Sequence, residues 1–231
     1  MSKQLTSPLW PAEFTRVENA EQLWRPEVLG PGLLETLGGL HRASVLSGFY
    51  LAGGTGLALY LGHRRSVDLD FFSAEPFHED ALLQKVQALP RFSLIAKSKE
   101  TLHGHVRETK ISFLGYAYPV LFPLQEFGET SVADPRDIAC MKISALAGRG
   151  TRRDFVDLYV AARRYGLKQL LALFRKKFAQ ANYSMMHVLK SLTYFEEAEK
   201  DPMPDMLVAL SWEEVKQFFT QEAPRLVATE G

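Results

Sequence analysis

The sequence predicts an α/β (α+β) protein: a mixed α/β half followed by an α-helical half, with the change near residue 130. Three observations predict it. Before that point, short apolar or alternating segments recur at 48–52, 66–72, 92–96, 105–108 and 110–114. They are bounded by glycine, proline and polar residues and read as strands. Helical patterns at 55–61 and 80–89 interrupt them. From Asp134 onward the apolar residues fall at helical spacing. We assign 1–130 to the α/β domain with its N-terminal lead-in, and 131–231 to a C-terminal helical domain.

The elements follow in order. The first 45 residues carry Pro8, Pro11, Pro26 and Pro31 and read as irregular chain leading into a helix that starts near Pro31. Gly48–Ala52 is short, aromatic and apolar, as a buried strand is. Gly53-Gly54 breaks it, and Thr55–Leu61 follows as a helix ending near Gly62. In the Ser66–Phe72 strand, Val67, Leu69 and Phe71 share one face, while Asp68 and Asp70 share the other. Pro90 stops the helix at 80–89, and Tyr116–Pro119 closes the sheet region. Asp134-Pro135 is a helix start, with an N-cap acid and proline in the first turn. That helix reaches about Gly148. Thr151 or Arg152 opens the next, to about Tyr165. Further helices are expected near 167–180, 184–199 and 211–221, the last with a Ser211-x-x-Glu214 capping box.

Composition bounds the function. The chain has 231 residues, 46% hydrophobic and 23% charged, the balance of a globular protein and not of a disordered one. No apolar run approaches the roughly 20 residues that span a bilayer, and the first residues lack a signal-peptide core. The single cysteine, Cys140, excludes an intramolecular disulfide framework and a multi-cysteine zinc site. The chain reads as cytoplasmic. Net charge is zero, yet residues 136–190 hold 12 basic side chains against 3 acids. That excess is either a phosphate-facing surface or a set of solvated helix faces.

The chemistry concentrates in two short stretches. Gly53-Gly54-Thr55, between a strand and a helix, lets backbone N–H groups approach a phosphate at the positive end of the helix dipole. Asp68 and Asp70 place two carboxylates on one strand face, where a hard cation relieves their repulsion. Mg²⁺ fits, since it takes carboxylate and phosphate oxygens. A phosphate cradle beside a metal-binding pair is the machinery of nucleotidyl transfer.

At these residues the sequence resembles the nucleotidyltransferase-like toxins that include AbiEii and the MenT toxins. Leu51–Leu59 and His63–Phe72 carry the resemblance. Lys142–Arg149 is similar to the family's lysine helix, and Arg153–Tyr159 to its Arg-Asp-x-x-Asp-Leu motif. The resemblance covers roughly residues 33–165, with the four stretches in the right order. The resemblance implies a polymerase β-like nucleotidyltransferase sheet with a C-terminal helical domain. It implies transfer from an NTP, with Mg²⁺ as cofactor, to an RNA acceptor such as the tRNA 3′ end, and a cognate antitoxin as partner protein. On it, Asp68 and Asp70 hold metal, and Gly53, Gly54 and Thr55 cradle the triphosphate. Lys142 neutralises phosphate charge, and Asp157 completes the site as acid/base or orienting group.

Other residues are placed by position. Arg64 and Arg65, with His63, stand between helix and metal strand and are candidates to touch the triphosphate. Arg153 is offset from the face shared by Asp154 and Asp157 and can reach phosphate or an acid. Asp154 serves either the site or its helix N-terminus. Lys142 faces either a pocket or solvent. Polymerase β-like transferases often carry a third carboxylate on a later strand; the matching strand here, Lys110–Leu114, has none, and Glu108 is the nearest acid. Two alternatives therefore stay open: a transferase of the same scaffold acting on a protein or small molecule, or a silent NTP-binding protein.

Overall fold

The computed structural model describes residues 24–227. The proline-rich lead-in around Pro8 and Pro11 lies outside the described residues. A 3₁₀ turn at Pro26–Val28 leads to α1 (Leu33–Arg42), β1 (Tyr50–Leu51), α2 (Gly53–Leu61), β2 (Asp68–Ser73) and α3 (Glu79–Val86). Then come β3 (Phe92–Ser98), β4 (Thr101–Val106), β5 (Thr109–Gly115), β6 (Gln125–Phe127) and β7 (Thr130–Val132). The helices α4 (Pro135–Arg149), α5 (Arg152–Tyr165), α6 (Leu167–Lys177), α7 (Met185–Ser191) and α8 (Trp212–Val227) complete the chain. No helix among the described residues is long and apolar enough to cross a membrane.

The strands form one mixed sheet in the order β3-β4-β5-β2-β1-β7-β6. β2 runs antiparallel to β1 and parallel to β5, and β1 runs parallel to β7. One side of the sheet buries Leu69 and Phe71 of β2 against Leu33, Leu37 and Leu40 of α1 and Leu82 and Val86 of α3. A second core joins Tyr50, Leu57, Leu61 and Phe72 to Ile138, Ile143, Phe155 and Leu158 of the helical half. α2 lies between the two cores, which explains why its sequence is apolar all round.

Several boundaries differ from the sequence reading. β1 ends at Leu51, ahead of Gly53-Gly54, and the two glycines are themselves the first turn of α2, which therefore starts before Thr55. Val67 precedes β2 and is 53% exposed, apart from the buried Leu69 and Phe71. The strand expected at 105–108 is β4 at 101–106, because Arg107 takes a positive φ in the tight turn to β5. β6 and β7 were not expected, and α7 is shorter than 184–199. The expected boundary at residue 130 falls on the first residue of β7, which pairs with β1 in the same sheet.

The helix starts are chemically specified. Asp134 caps α4 by accepting from Arg136 N at 2.9 Å, with Pro135 in the first turn. Thr151 and Asp154 form a reciprocal capping box on α5, and Ser211 and Glu214 form another on α8. A buried pair, Lys177 Nζ to Asp137 Oδ1 at 2.7 Å, ties α6 to α4. Asp137 also accepts the Leu121 and Phe122 amides, so the segment before β6 is pinned to the helices. Cys140 is a core thiol whose pKa burial pushes up to about 12, outside the range of a reactive thiolate.

Candidate active site

The site forms where the N-terminus of α2, the start of β2 and the helices α4 and α5 converge. Ala52 provides no side-chain cap for α2, so its first amides are left for another partner. Gly53 sits at φ +60°, and a β-carbon there would lie 2.8 Å from Asp70 Oδ2. At Gly54 a β-carbon would collide with the Arg64 guanidinium, which is fixed elsewhere. Thr55 Oγ1 donates to the Asp68 carbonyl and lies 2.7 Å from Ser66 Oγ. Its hydroxyl thus fastens α2 to the start of β2.

Asp68 and Asp70 line one cleft of 210 Å³ together with Gly54, Thr55, Lys142 and Arg153. Alternation along β2 puts both carboxylates on that side. Arg153 Nη1 stands 3.6 Å from Asp68 Oδ2 while remaining half exposed. Parallel pairing sets Lys110 of β5 beside Asp68 and Ser112 beside Asp70. The strand that matches the third-carboxylate position therefore offers a lysine and a serine, and Glu108 lies in the preceding turn. Among the described residues, no group of three or more His, Cys, Asp or Glu side chains is placed to hold a metal. Two carboxylates fit an ion that completes its octahedron with water and substrate phosphates, as Mg²⁺ does.

Behind this cleft lies a buried charge network centred on Asp157. Arg64 Nε donates to Asp157 Oδ1 at 2.7 Å and Nη2 to Oδ2 at 2.9 Å. Lys142 Nζ is 2.8 Å from both Asp157 Oδ2 and Asp154 Oδ1. His63 Nε2 is 2.8 Å from Asp157 Oδ1. Burial alone would raise the Asp157 pKa, but the Arg64 and Lys142 charges and the hydrogen bonds hold it well below the usual range. Burial likewise pulls Lys142 down, and the Asp157 and Asp154 charges outweigh it and raise it. His63 is lowered, because burial outweighs its bond to Asp157; it is neutral at pH 7.

The sequence candidates are thus brought together unevenly. Gly54, Thr55, Asp68, Asp70, Lys142, Arg64 and Arg153 share the cleft, and Gly53 packs on Asp70. Asp157 is fully buried one layer behind them. Arg65 is outside the cleft: it faces Asp205, with Nε 3.3 Å from Oδ2. Lys110 and Arg149 line the cleft and were not anticipated. Arg149 is seven residues from Lys142 on α4, two turns along one face, so its signal was present. Lys110 is placed by strand register alone. Of the twelve basic residues in 136–190, only Lys142, Arg149 and Arg153 line the cleft. Arg136 pairs with Asp134 and Lys177 with Asp137.

The strand, the glycine-led helix start and the same-face carboxylate pair on a mixed sheet, backed by helices, are those of a nucleotidyltransferase. Residues 36–228 match the family described as the nucleotidyl transferase AbiEii toxin of type IV toxin–antitoxin systems, and the chain belongs to that family. It is 38% identical over 184 residues to an uncharacterized protein of Aquifex aeolicus, covering 77% of this chain and 87% of that one. Among solved structures it is similar to MenT4, a nucleotidyltransferase toxin of Mycobacterium tuberculosis. That likeness has a TM-score of 0.50 and 15% identity, and covers 80% of this chain and 83% of that one. JHP933 of Helicobacter pylori is similar with a TM-score of 0.41 and 15% identity, covering 88% of this chain and all of that one.

Proposed function

We propose that this nucleotidyltransferase uses Mg²⁺ held by Asp68 and Asp70 to transfer a nucleotidyl group from an NTP to RNA, at the tRNA 3′ end. It acts as the toxin whose partner is a cognate antitoxin in the same cytoplasm. One observation carries the reading: the Asp70 carboxylate lies against Gly53, at the uncapped start of α2. The metal pair and the phosphate-binding amides therefore address one ligand. The RNA part draws on the family resemblance and on Arg149 and Arg153, cations at the cleft that no buried carboxylate locks.

The roles follow from the contacts. The α2 amides at Gly53, Gly54 and Thr55 receive phosphate oxygens. The cation supplies Lewis-acid polarisation of the phosphates when bound. Lys142 donates one N–H to Asp154 and is ion-paired with Asp157, which leaves a donor for phosphate. Asp157 is the orienting group and not the acid/base, since both its oxygens are engaged and it stays ionised. Arg64 braces the α2 start from behind, and Arg153 exchanges Asp68 for phosphate. The acceptor hydroxyl oxygen bonds to the α-phosphorus, pyrophosphate leaves, and the hydroxyl proton passes to water or to the Asp68–Asp70 pair.

The test is incubation of the purified chain with each α-labelled NTP, Mg²⁺ and total tRNA. Label on tRNA supports the reading and selects the nucleotide. Label on protein or small molecules alone, with tRNA untouched, overturns the acceptor.

A further inference from the structure

The wider cleft beside the catalytic one has no role in the scheme above. It measures 660 Å³, against 210 Å³ for the cleft that holds Asp68 and Asp70. Sites for organic ligands usually occupy about 300–1,000 Å³. The inner cleft is thus sized for phosphates and the outer one for the rest of a nucleotide. The two adjoin, because Arg64, Arg149 and Arg153 line both.

Charge distinguishes the two ends. At the shared rim Arg149 and Arg153 are the cations open to a ligand, since Arg64 is paired with Asp157. Beyond it the outer cleft has Arg65 and Lys200 against Glu197, Asp201 and Asp205, one negative charge in excess. A phosphate chain is attracted at the rim and repelled further out, whereas an uncharged ring system is not. The outer walls supply apolar surface for such a ring. Val67 is 53% exposed there, one residue before the metal-binding Asp68. Met203 belongs to the 201–205 stretch that also lines this cleft. That stretch is held in place by Arg65 N donating to Asp205 O at 2.8 Å and Leu207 N to His63 O at 2.9 Å. The walls are therefore formed before any ligand arrives.

We propose that the outer cleft binds the nucleoside of the donor NTP, with the base against Val67 and Met203 and the phosphates crossing the Arg149–Arg153 rim into the metal cleft. Val67 and Met203 are then the residues that set base preference. This rests on the nucleotidyltransferase reading. The terminal nucleoside of an acceptor has the same chemistry, and the binding partner distinguishes the two sources.

The experiment is calorimetric titration of the full chain with each NTP and with inorganic tripolyphosphate, in the presence of Mg²⁺. Val67→Trp fills the cleft from an exposed position, and Met203→Asp adds charge from a separate segment. Both variants are expected to weaken the preferred NTP at least about tenfold, the scale of one lost apolar pocket contact. Tripolyphosphate affinity is expected to stay at its wild-type value in both variants, and the thermal midpoint to stay in Val67→Trp, whose position is exposed; Met203 packs partly on the helical core, so its variant has a lower midpoint and is compared while folded. Wild-type NTP affinity in either folded variant overturns the assignment. Lost RNA labelling with NTP affinity intact also overturns it and gives the cleft to the acceptor. Equal weakening of NTP and tripolyphosphate in both variants overturns it as well. A wild-type chain that binds neither ligand defeats the transferase reading itself, and this proposal with it.

Discussion

Gly53 and Asp70 are in contact across the junction of α2 and β2: a β-carbon on Gly53 would stand 2.8 Å from Asp70 Oδ2. The φ of +60° at Gly53 adds a conformation that other residues adopt at a cost of about 1–3 kcal/mol. Gly53→Ala is therefore expected to turn the Asp70 carboxylate away from the helix start. Nucleotidyl transfer should fall at least about 100-fold, with a stability loss inside that range. Steady-state kinetics beside urea unfolding checks this. Wild-type kcat in the variant contradicts it.

Asp157 neutralises two buried cations. Asp157→Asn leaves Arg64 and Lys142 short of a counter-charge in a site that is nearly closed to water. Breaking such a network costs about 3–5 kcal/mol. Thermal unfolding should shift down by well over 5 °C, given about 2–4 °C per kcal/mol for a chain of this size. An unchanged midpoint contradicts the network's structural role.

Lys142 is expected to act on the transition state more than on binding. Lys142→Ala should lower kcat about 10²- to 10³-fold, the usual loss for one donor aimed at developing charge. KM for the NTP should change less than kcat. Kinetics across an NTP range reads both, and a pure KM effect contradicts the role in transfer.

Acid should destabilise the fold through His63. Its pKa is lowered from 6.5 on folding. Below pH 6.5 the unfolded chain takes up a proton that the folded one refuses, so stability falls with pH by about 1.4 kcal/mol per unit until the folded pKa is reached. Asp157, depressed from 3.8, adds a second loss as pH falls below that value. Urea unfolding between pH 7.5 and 5 checks the first step. His63→Gln should flatten it, and a slope identical to wild type contradicts the assignment.

The parts of the site that lie close together in sequence were legible. Gly53-Gly54-Thr55 and Asp68-x-Asp70 are separated by one helix and one turn, so period-2 alternation and helix-start chemistry were enough to pair them. The long-range contacts were not. Nothing local says that Arg64 would be claimed by Asp157, 93 residues away, while its neighbour Arg65 faces Asp205. Lys110 beside Asp68 is a fact of parallel register between β2 and β5. β6 and β7 were missed for a different reason. Three residues each, with Glu126 and Ser131 inside, they carry too little alternation to register as strands.

The central claim is that Asp68 and Asp70 hold the cation at which an NTP reacts. It is tested most directly by Mg²⁺-dependent pyrophosphate release from an NTP with acceptor RNA, comparing wild type with Asp70→Ala at matched thermal midpoints. The account predicts release by the wild type that EDTA abolishes and Mg²⁺ restores, and none above background from the folded variant. Undiminished, Mg²⁺-dependent release from folded Asp70→Ala would contradict it.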